Sequence, residues 1–519
     1  MTLLAERRYG RPTLRAAQLK LSPSLASRGE PAIFQARRSL RAWTATHRDL
    51  VLLCIVLALG ALLRAAFFLR APVFIISDSE NYFLPGFELA RGLGFGLEPR
   101  RAPLYPAFIA AVIYGIGQDL ASVALVQHAL GLLTTGLTYW LGRLAFGRLA
   151  GFVAALLVAL NGPLLVSEQT IGTEALFTAS LALAGALSAL ALREGRSRLF
   201  FTAGVLLALA ALVRPVALGL VPILPFVLLA SRSDWRRWLR LSALYCAGVA
   251  LVLLPWMVRN VFALQVFSTE GAFGQTLVGR TVRHDRFVFV DSAVAADTDT
   301  RRQRARELMQ DAATRGSFIT PLRRRLTQEL NLTELEANRL MRDLAAEAIL
   351  RHPGYYALGT ARFFVALALG PSESLREVWQ TRRDPDAREE WESHPEIAAL
   401  LGPPNAVQER QFADAERLVA LSRPGRFAPF VLALAVVGMA VAAVSRAARP
   451  ALVPALYGLT LLLVAAAFVG PVPRYRYPAE PFLAVMAGGG LTALCQGAIL
   501  IFNRVRNARA RSTGGQPPS

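Results

Sequence analysis

Apolar runs of about 18–22 residues recur along this chain, separated by short polar connections, and that length matches the hydrocarbon thickness of a bilayer. Spans are predicted near 50–70, 121–142, 149–166, 174–192, 199–213, 216–231, 241–258, 427–445, 451–470 and 482–502. Repeated runs of this kind specify an all-α polytopic membrane protein of about 10 transmembrane helices (range 10–12), because only helices satisfy every backbone group within lipid. The first run lacks a small-residue cleavage site, which predicts a retained signal-anchor.

The connections carry a second pattern. Arginines cluster at Arg143 and Arg148, at Arg193, Arg196 and Arg198, at Arg232, Arg236, Arg237 and Arg240, at Arg446 and Arg449, and from Arg504 to Arg511. These are alternate connections, so the positive-inside rule predicts that they are cytoplasmic, with both termini inside. The loop of 71–120, the stretch around Glu174, the region 259–426 and the loop around Arg474 then face outward. The expected layout is a disordered basic tail (1–48), an N-terminal transmembrane core (49–258) and an extracytoplasmic or interfacial region (259–426). C-terminal transmembrane helices (427–502) and a cytoplasmic tail (503–519) complete it. Within the outer region, "YYALGTARFFVALALG" at 355–370 is expected at the interface, since a span there would invert the C-terminal charge pattern. Thr333 and Glu336 have capping-box spacing and predict a helix ending before Pro353.

Composition narrows the class. The 519 residues are 54% hydrophobic and only 18% charged, too apolar for an ordinary soluble protein of this length. The net charge of +21 comes from arginines in short clusters between apolar runs, which argues against nucleic acid as the partner. Residues 1–48 hold ten Lys or Arg against two acids. Cys54, Cys246 and Cys495 lie inside apolar segments with no disulfide or zinc spacing. His128, beside Gln127, is expected to hydrogen-bond between helices.

Candidate chemistry concentrates in the first outer loop, "VFIISDSENYFLPGFELARGLGFGLEPRRAPLYPAF". Asp78, followed by Glu80 and Tyr82, is either a helix cap or a half-shielded general base. A surface helix is expected to begin near Pro85 and to end at Gly92 or Gly94. Arg100 and Arg101 either anchor lipid headgroups or fork onto a phosphate. Pro103 and Pro106 bracket Tyr105 and turn the chain back towards the membrane.

The ordered set "SDSENY", "RRAPLYP", "VQHALG", "TEALF", "LVRP", "LPWMVRN", "ILRHPGYY" and "RYRYPAEP" resembles the GT-C class of polytopic glycosyltransferases, which use lipid-linked sugars. Within that class it is similar to the family 39 type, which includes protein O-mannosyltransferases and the aminoarabinose transferases acting on lipid A. The resemblance runs from about residue 50 to 502 and is strongest over 76–215. It implies a GT-C-like helical bundle with Asp78 as catalytic base and Arg101 near the carrier phosphate. It also implies Glu174 near the active centre, with Arg259, Asn260, Arg474 and Tyr475 at positions of less specific role. Pro85, interrupting the stretch after Tyr82, and Ser79 depart from the family pattern.

The resemblance further implies transfer of a sugar from a polyprenyl-phosphate donor to a cell-envelope acceptor (glycan, lipid or protein) at the outer face of a bacterial plasma membrane, with inversion. No cofactor is expected. Asp78, Glu80 and Glu174 could bind a divalent ion, but no spacing demands one. A lipid flippase or secondary transporter is the alternative, which predicts ionisable residues inside several spans and broken helices in paired positions.

Overall fold

The computed structural model describes residues 47–76, 78–95, 101–117, 119–231, 234–285, 299–315, 319–370, 406–421, 428–445 and 450–513. Among these residues the fold is all helical, with one isolated parallel β-bridge. In chain order the helices are α1 (Arg48–Arg70), α2 (Glu80–Ala90), α3 (Leu104–Gly115), α4 (Leu120–Phe146), α5 (Arg148–Ala159), α6 (Gly162–Gln169), α7 (Glu174–Glu194), α8 (Ser197–Val213), α9 (Ile223–Ala230) and α10 (Trp235–Leu264). They continue as α11 (Phe273–Val278), α12 (Thr300–Arg315), α13 (Ile319–Leu330), α14 (Glu334–Arg351), α15 (Pro353–Leu369), α16 (Ala406–Leu421), α17 (Ala428–Val444), α18 (Leu452–Phe468) and α19 (Glu480–Thr513).

Five helices are long and apolar enough to cross a bilayer: α1, α4, α7, α10 and the segment Pro473–Asn507 that contains most of α19. Counting the bent pair α5–α6 as one span makes six. The apolar runs expected to span near 199–213, 216–231, 427–445 and 451–470 form shorter helices of 10–17 residues or a 3-10 turn followed by α9. Chain punctuation accounts for several shortened runs: Arg214-Pro215 stops α8, and Gly470 takes a positive φ of 110° after α18.

The run at 149–166 is not one straight helix. It breaks at Leu160–Asn161 with a 52° bend. Asn161 caps α6 by accepting from the Leu164 amide at 3.2 Å, and Pro163 occupies its first turn. The sequence "NGP" is thus a stop and a restart inside an apolar run.

Small residues let the helices pack closely. A Cβ on Gly204 of α8 would lie 2.1 Å from the Tyr245 carbonyl oxygen of α10, and one on Gly248 would lie 2.2 Å from that of Phe201. The contact between these helices therefore rests on backbone approach. Most of the buried apolar residues form one cluster that includes Tyr105, Phe177, Tyr245, Tyr457 and Phe482.

A second cluster joins α11–α14 through Leu277, Val278, Leu308, Met309, Leu326, Met341 and Leu344. The capping box of α14 is complete, with Thr333 N donating to Glu336 Oε2 at 2.8 Å and Glu336 N to Thr333 Oγ1 at 3.3 Å. Helix α15, over 353–369, packs against α18. Tyr356 donates to the Ala467 carbonyl at the end of α18, while the Leu367 carbonyl accepts from Arg476 at 2.7 Å in the next connection. Arg280, fully buried, pins the same region by donating to the Ala466 carbonyl at 2.9 Å while pairing with Asp285.

Candidate active site

The chain leaves α1 at Arg70, extends through Phe74 and turns at Asp78 and Ser79 before α2. Ser79, completely buried, holds this turn: its Oγ accepts from the Ile76 amide at 3.0 Å and donates to the Ile171 carbonyl at 2.6 Å. Phe74 and Thr170 form the β-bridge, with Phe74 N to Gln169 O at 3.1 Å and Ile171 N to Phe74 O at 2.9 Å. The turn carrying Asp78 and the segment leading to Glu174 are therefore stitched together.

Ser79 also corrects the expected start of the surface helix. Its carbonyl receives the amides of Tyr82 and Phe83, so α2 begins at Glu80 and Pro85 lies inside it. The helix ends at Ala90, ahead of Gly92 and Gly94, both at φ 79°.

Asp78 sits between two arginines. Arg101 donates to Oδ1 at 2.7 Å and Arg474 to Oδ2 at 2.6 Å, across 396 residues of chain in the second case. Burial alone would raise the carboxyl pKa, but these guanidiniums hold it well below the usual carboxylate range. Asp78 does not cap α2; its oxygens are spent on arginine.

The surroundings are aromatic and cationic. Arg101 lies over the Tyr82 ring at 5.3 Å, and Tyr82 meets Tyr105 edge-on at 5.3 Å. Burial pushes the Tyr82 hydroxyl up to about 12, so it stays a phenol at neutral pH. Tyr475 stacks under Arg214 at 4.8 Å and near Arg474 at 5.8 Å. Arg214 in turn pairs with Glu174 at 2.7 Å, both side chains being nearly inaccessible. Tyr105, fully buried, donates to Gln127 Oε1 at 2.8 Å.

Tyr82, Arg101, Arg214 and Tyr475 border a cavity of about 350 Å³, whereas Asp78, Glu174 and Arg474 are not in its lining and connect to it through Arg101 and Arg214 or, for Arg474, through Asp78. Tyr82, Arg101, Arg214, Glu270 and Tyr475 supply its polar lining, and Leu218, Val464 and Phe468 are among its apolar walls. Arg101 Nε and Arg214 Nη1 are buried without a hydrogen-bond partner among the described residues. Unpaired buried donors of this kind favour an anionic ligand.

Arg259 and Asn260 are not among the residues lining the cavity. Asn260 donates to the Ser268 carbonyl at 2.8 Å and receives Arg259 at 3.0 Å, so the pair braces the segment that carries Glu270. Glu80 opens α2. Arg100 lies outside the described residues. Among the described residues no three His, Cys, Asp or Glu side chains gather as a metal-sized cluster, and Asp78, Glu80 and Glu174 do not form one.

Residues 100–259 match the protein family described as dolichyl-phosphate-mannose-protein mannosyltransferase. The match covers less than a third of the chain. It contains Arg101, Tyr105, Glu174, Arg214 and Arg259; Asp78, Asn260, Glu270, Arg474 and Tyr475 lie outside it. A comparison with curated proteins gives no match. Among solved structures, the oligosaccharyltransferase AglB from Archaeoglobus fulgidus, in complex with an inhibitory peptide and a dolichol-phosphate, is 13% identical with a TM-score of 0.44. That alignment covers 92% of this chain and 53% of AglB, so the chain spans about half the length of that protein. ArnT from Cupriavidus metallidurans, bound to undecaprenyl phosphate, is 13% identical with a TM-score of 0.37, covering 88% of this chain and 80% of ArnT.

Three parts of the arrangement escape the sequence. Arg214 reads there only as a charge at the end of an apolar run, and Glu270 carries no motif at all. The third is a buried network: Arg64 donates to Glu168 Oε1 at 2.7 Å, His128 Nδ1 meets Glu168 Oε2 at 2.8 Å, and His128 Nε2 meets Gln169 at 2.7 Å. Gln127 donates to the Glu168 and Thr170 carbonyls at 3.0 and 2.8 Å. With Tyr105 on its other end, Gln127 connects the break after α6 to the wall beside Arg101. The interhelical hydrogen bonding expected of His128 is what the geometry contains.

Proposed function

We propose that this membrane glycosyltransferase moves a sugar from a polyprenyl-phosphate donor to a cell-envelope acceptor at the extracytoplasmic face, by single displacement with inversion. The observation that carries the proposal is the pair of guanidiniums of Arg101 and Arg214 in the wall of one cavity, each with a buried N–H that has no partner among the described residues, with Arg474 joined to Arg101 through Asp78. The family description, which names a dolichyl-phosphate-linked mannose, supports a lipid-phosphate donor. Apolar walls beside the arginines suit an amphiphile whose phosphate and sugar enter the cavity while its tail remains in lipid.

In this mechanism Arg101 and Arg474 hold the donor phosphate and neutralise the charge that grows on it as the sugar–oxygen bond breaks. The acceptor's oxygen or nitrogen forms the new bond to the anomeric carbon. The bonding electrons leave with the phosphate oxygen, and the acceptor's proton passes to Asp78. Without donor, both oxygens of Asp78 are engaged and its proton affinity is low. A phosphate competing for the same guanidiniums draws them away and restores that affinity, so the base becomes competent only when the donor is present. Positioned proton transfer of this kind contributes roughly 10²- to 10⁴-fold. No metal is needed for these steps, and none is assigned.

The test is release of free polyprenyl phosphate from a panel of polyprenyl-phosphate sugars by the purified protein, with an acceptor-containing membrane extract, for wild type and Asp78→Asn. Turnover that collapses in the variant is the expected result; equal turnover removes Asp78 as the base. A flippase or secondary transporter is the second reading, favoured by the buried Arg64–Glu168–His128 network and the bend at α5–α6. Translocation of a labelled polyprenyl-phosphate lipid in vesicles, with no release of sugar, would favour it.

A further inference from the structure

One carboxylate, Glu270, lines the cavity, and two more, Asp78 and Glu174, pair with arginines of its wall. Asp78 gives each oxygen to an arginine, at 2.7 and 2.6 Å. Glu174 gives one to Arg214 at 2.7 Å. Glu270 lines the cavity directly, yet no side chain among the described residues donates to its carboxylate. Burial raises its proton affinity, against the pull of Arg101 and Arg214.

The segment bearing Glu270 is held in place. Trp256 Nε1 donates to the Thr269 carbonyl at 3.0 Å, Asn260 Nδ2 to the Ser268 carbonyl at 2.8 Å, and the Glu270 amide to Ser268 Oγ at 3.4 Å. Trp256 and Asn260 belong to α10, and Asn338 of α14 donates to the neighbouring Gly271 carbonyl, so two helices hold the backbone that carries this side chain. A carboxylate held in a half-buried wall without a donor is costly unless a ligand supplies one. The donor phosphate is not that ligand, because it brings only acceptor oxygens and like charge. The remaining substrate of a transferase is the nucleophile, which carries an O–H or N–H.

Building on the transferase proposed above, we infer that Glu270 forms the acceptor subsite, its carboxylate taking a hydrogen bond from the nucleophilic hydroxyl or amine of the incoming acceptor. The cavity then divides its labour. Arginines on the first loop, at the end of α8 and in the last connection receive the phosphate, and the segment after α10 receives the acceptor. Glu270 touches the acceptor and leaves donor binding to Arg101, Arg474 and Arg214.

The experiment compares full-length wild type with Glu270→Ala, Glu270→Gln and Glu270→Asp. Binding of labelled polyprenyl phosphate is measured separately from sugar transfer at increasing amounts of an acceptor-containing membrane extract. The expected result is no weakening of polyprenyl-phosphate binding, since a negative charge is removed from the cavity, and at least about a tenfold rise in half-saturating acceptor for the alanine variant. The aspartate variant should recover part of the loss, and thermal unfolding should stay near wild type. An unchanged acceptor curve in both the alanine and glutamine variants overturns the inference. So does a matching loss of polyprenyl-phosphate binding, which would put Glu270 on the donor side. Absence of transfer by wild type across the whole donor panel would instead overturn the transferase proposal on which the inference rests.

Discussion

Replacing Asp78 by Asn keeps the side-chain shape and removes one negative charge from between two arginines. Under the proposed mechanism this has two opposite effects. The carboxylate competes with the donor phosphate for Arg101 and Arg474, and it repels that phosphate. Taking the two anions about 6 Å apart, with an effective dielectric between about 20 and 80, their repulsion is roughly 1–3 kcal/mol. Its removal should tighten polyprenyl-phosphate binding by about 5- to 150-fold. Turnover should fall by roughly 10²- to 10⁴-fold, because the proton acceptor is gone. The assay is equilibrium binding of labelled polyprenyl phosphate to the purified protein, run beside the release assay on the same preparations. An enzyme that binds its carrier better and turns it over worse is the signature. Weaker binding by Asp78→Asn would refute the competition argument, since it would mean that the carboxylate serves mainly to position the arginines.

Arg101→Lys should lower polyprenyl-phosphate affinity about tenfold despite keeping the charge, because lysine cannot fork between Asp78 and a phosphate; the same binding assay checks it. Glu174→Ala leaves Arg214 buried with no carboxylate and should cost about 3–5 kcal/mol, read as a lower thermal unfolding midpoint in detergent. His284 offers a pH test, because burial and the neighbouring Arg283 and Arg280 lower its pKa from 6.5 to about 4. The unfolded chain therefore binds this proton first as pH falls, so stability is full above about 6.5 and declines towards 4. Thermal unfolding across that window should show the decline, and His284→Gln should flatten it.

The long apolar runs were legible from periodicity alone, and the membrane-protein fold follows from them. The short ones were not, because apolar length does not reveal where an Asn-Gly-Pro or Arg-Pro step ends a helix. Asp78, Arg101 and Arg474 stood out as charges beside aromatic and proline residues in loops expected to face outward, and the fold brings Asp78 within 2.7 Å of each arginine. That Asp78 would lose its basicity to those same arginines could not be read, since pairing across 396 residues has no local trace. Arg214 is camouflaged in sequence by the rule that arginines mark span ends. Glu270 is an acid in an unremarkable loop, and only the bracing by Trp256 and Asn260 turns it towards the cavity. Arg259 and Asn260 stand at positions that the family resemblance marks, and their hydrogen bonds brace the wall without lining it.

The bridge between Phe74 and Thr170, reinforced by Ser79 on Ile171, has a mechanical consequence. It welds the supports of Asp78 and Glu174 into one piece, so the part of the cavity proposed to grip phosphate behaves as a fixed jaw. The Glu270 segment is held separately, by side chains of α10 and by Asn338 of α14. In the proposed transferase, this separation would let the acceptor side vary while the phosphate side stays fixed.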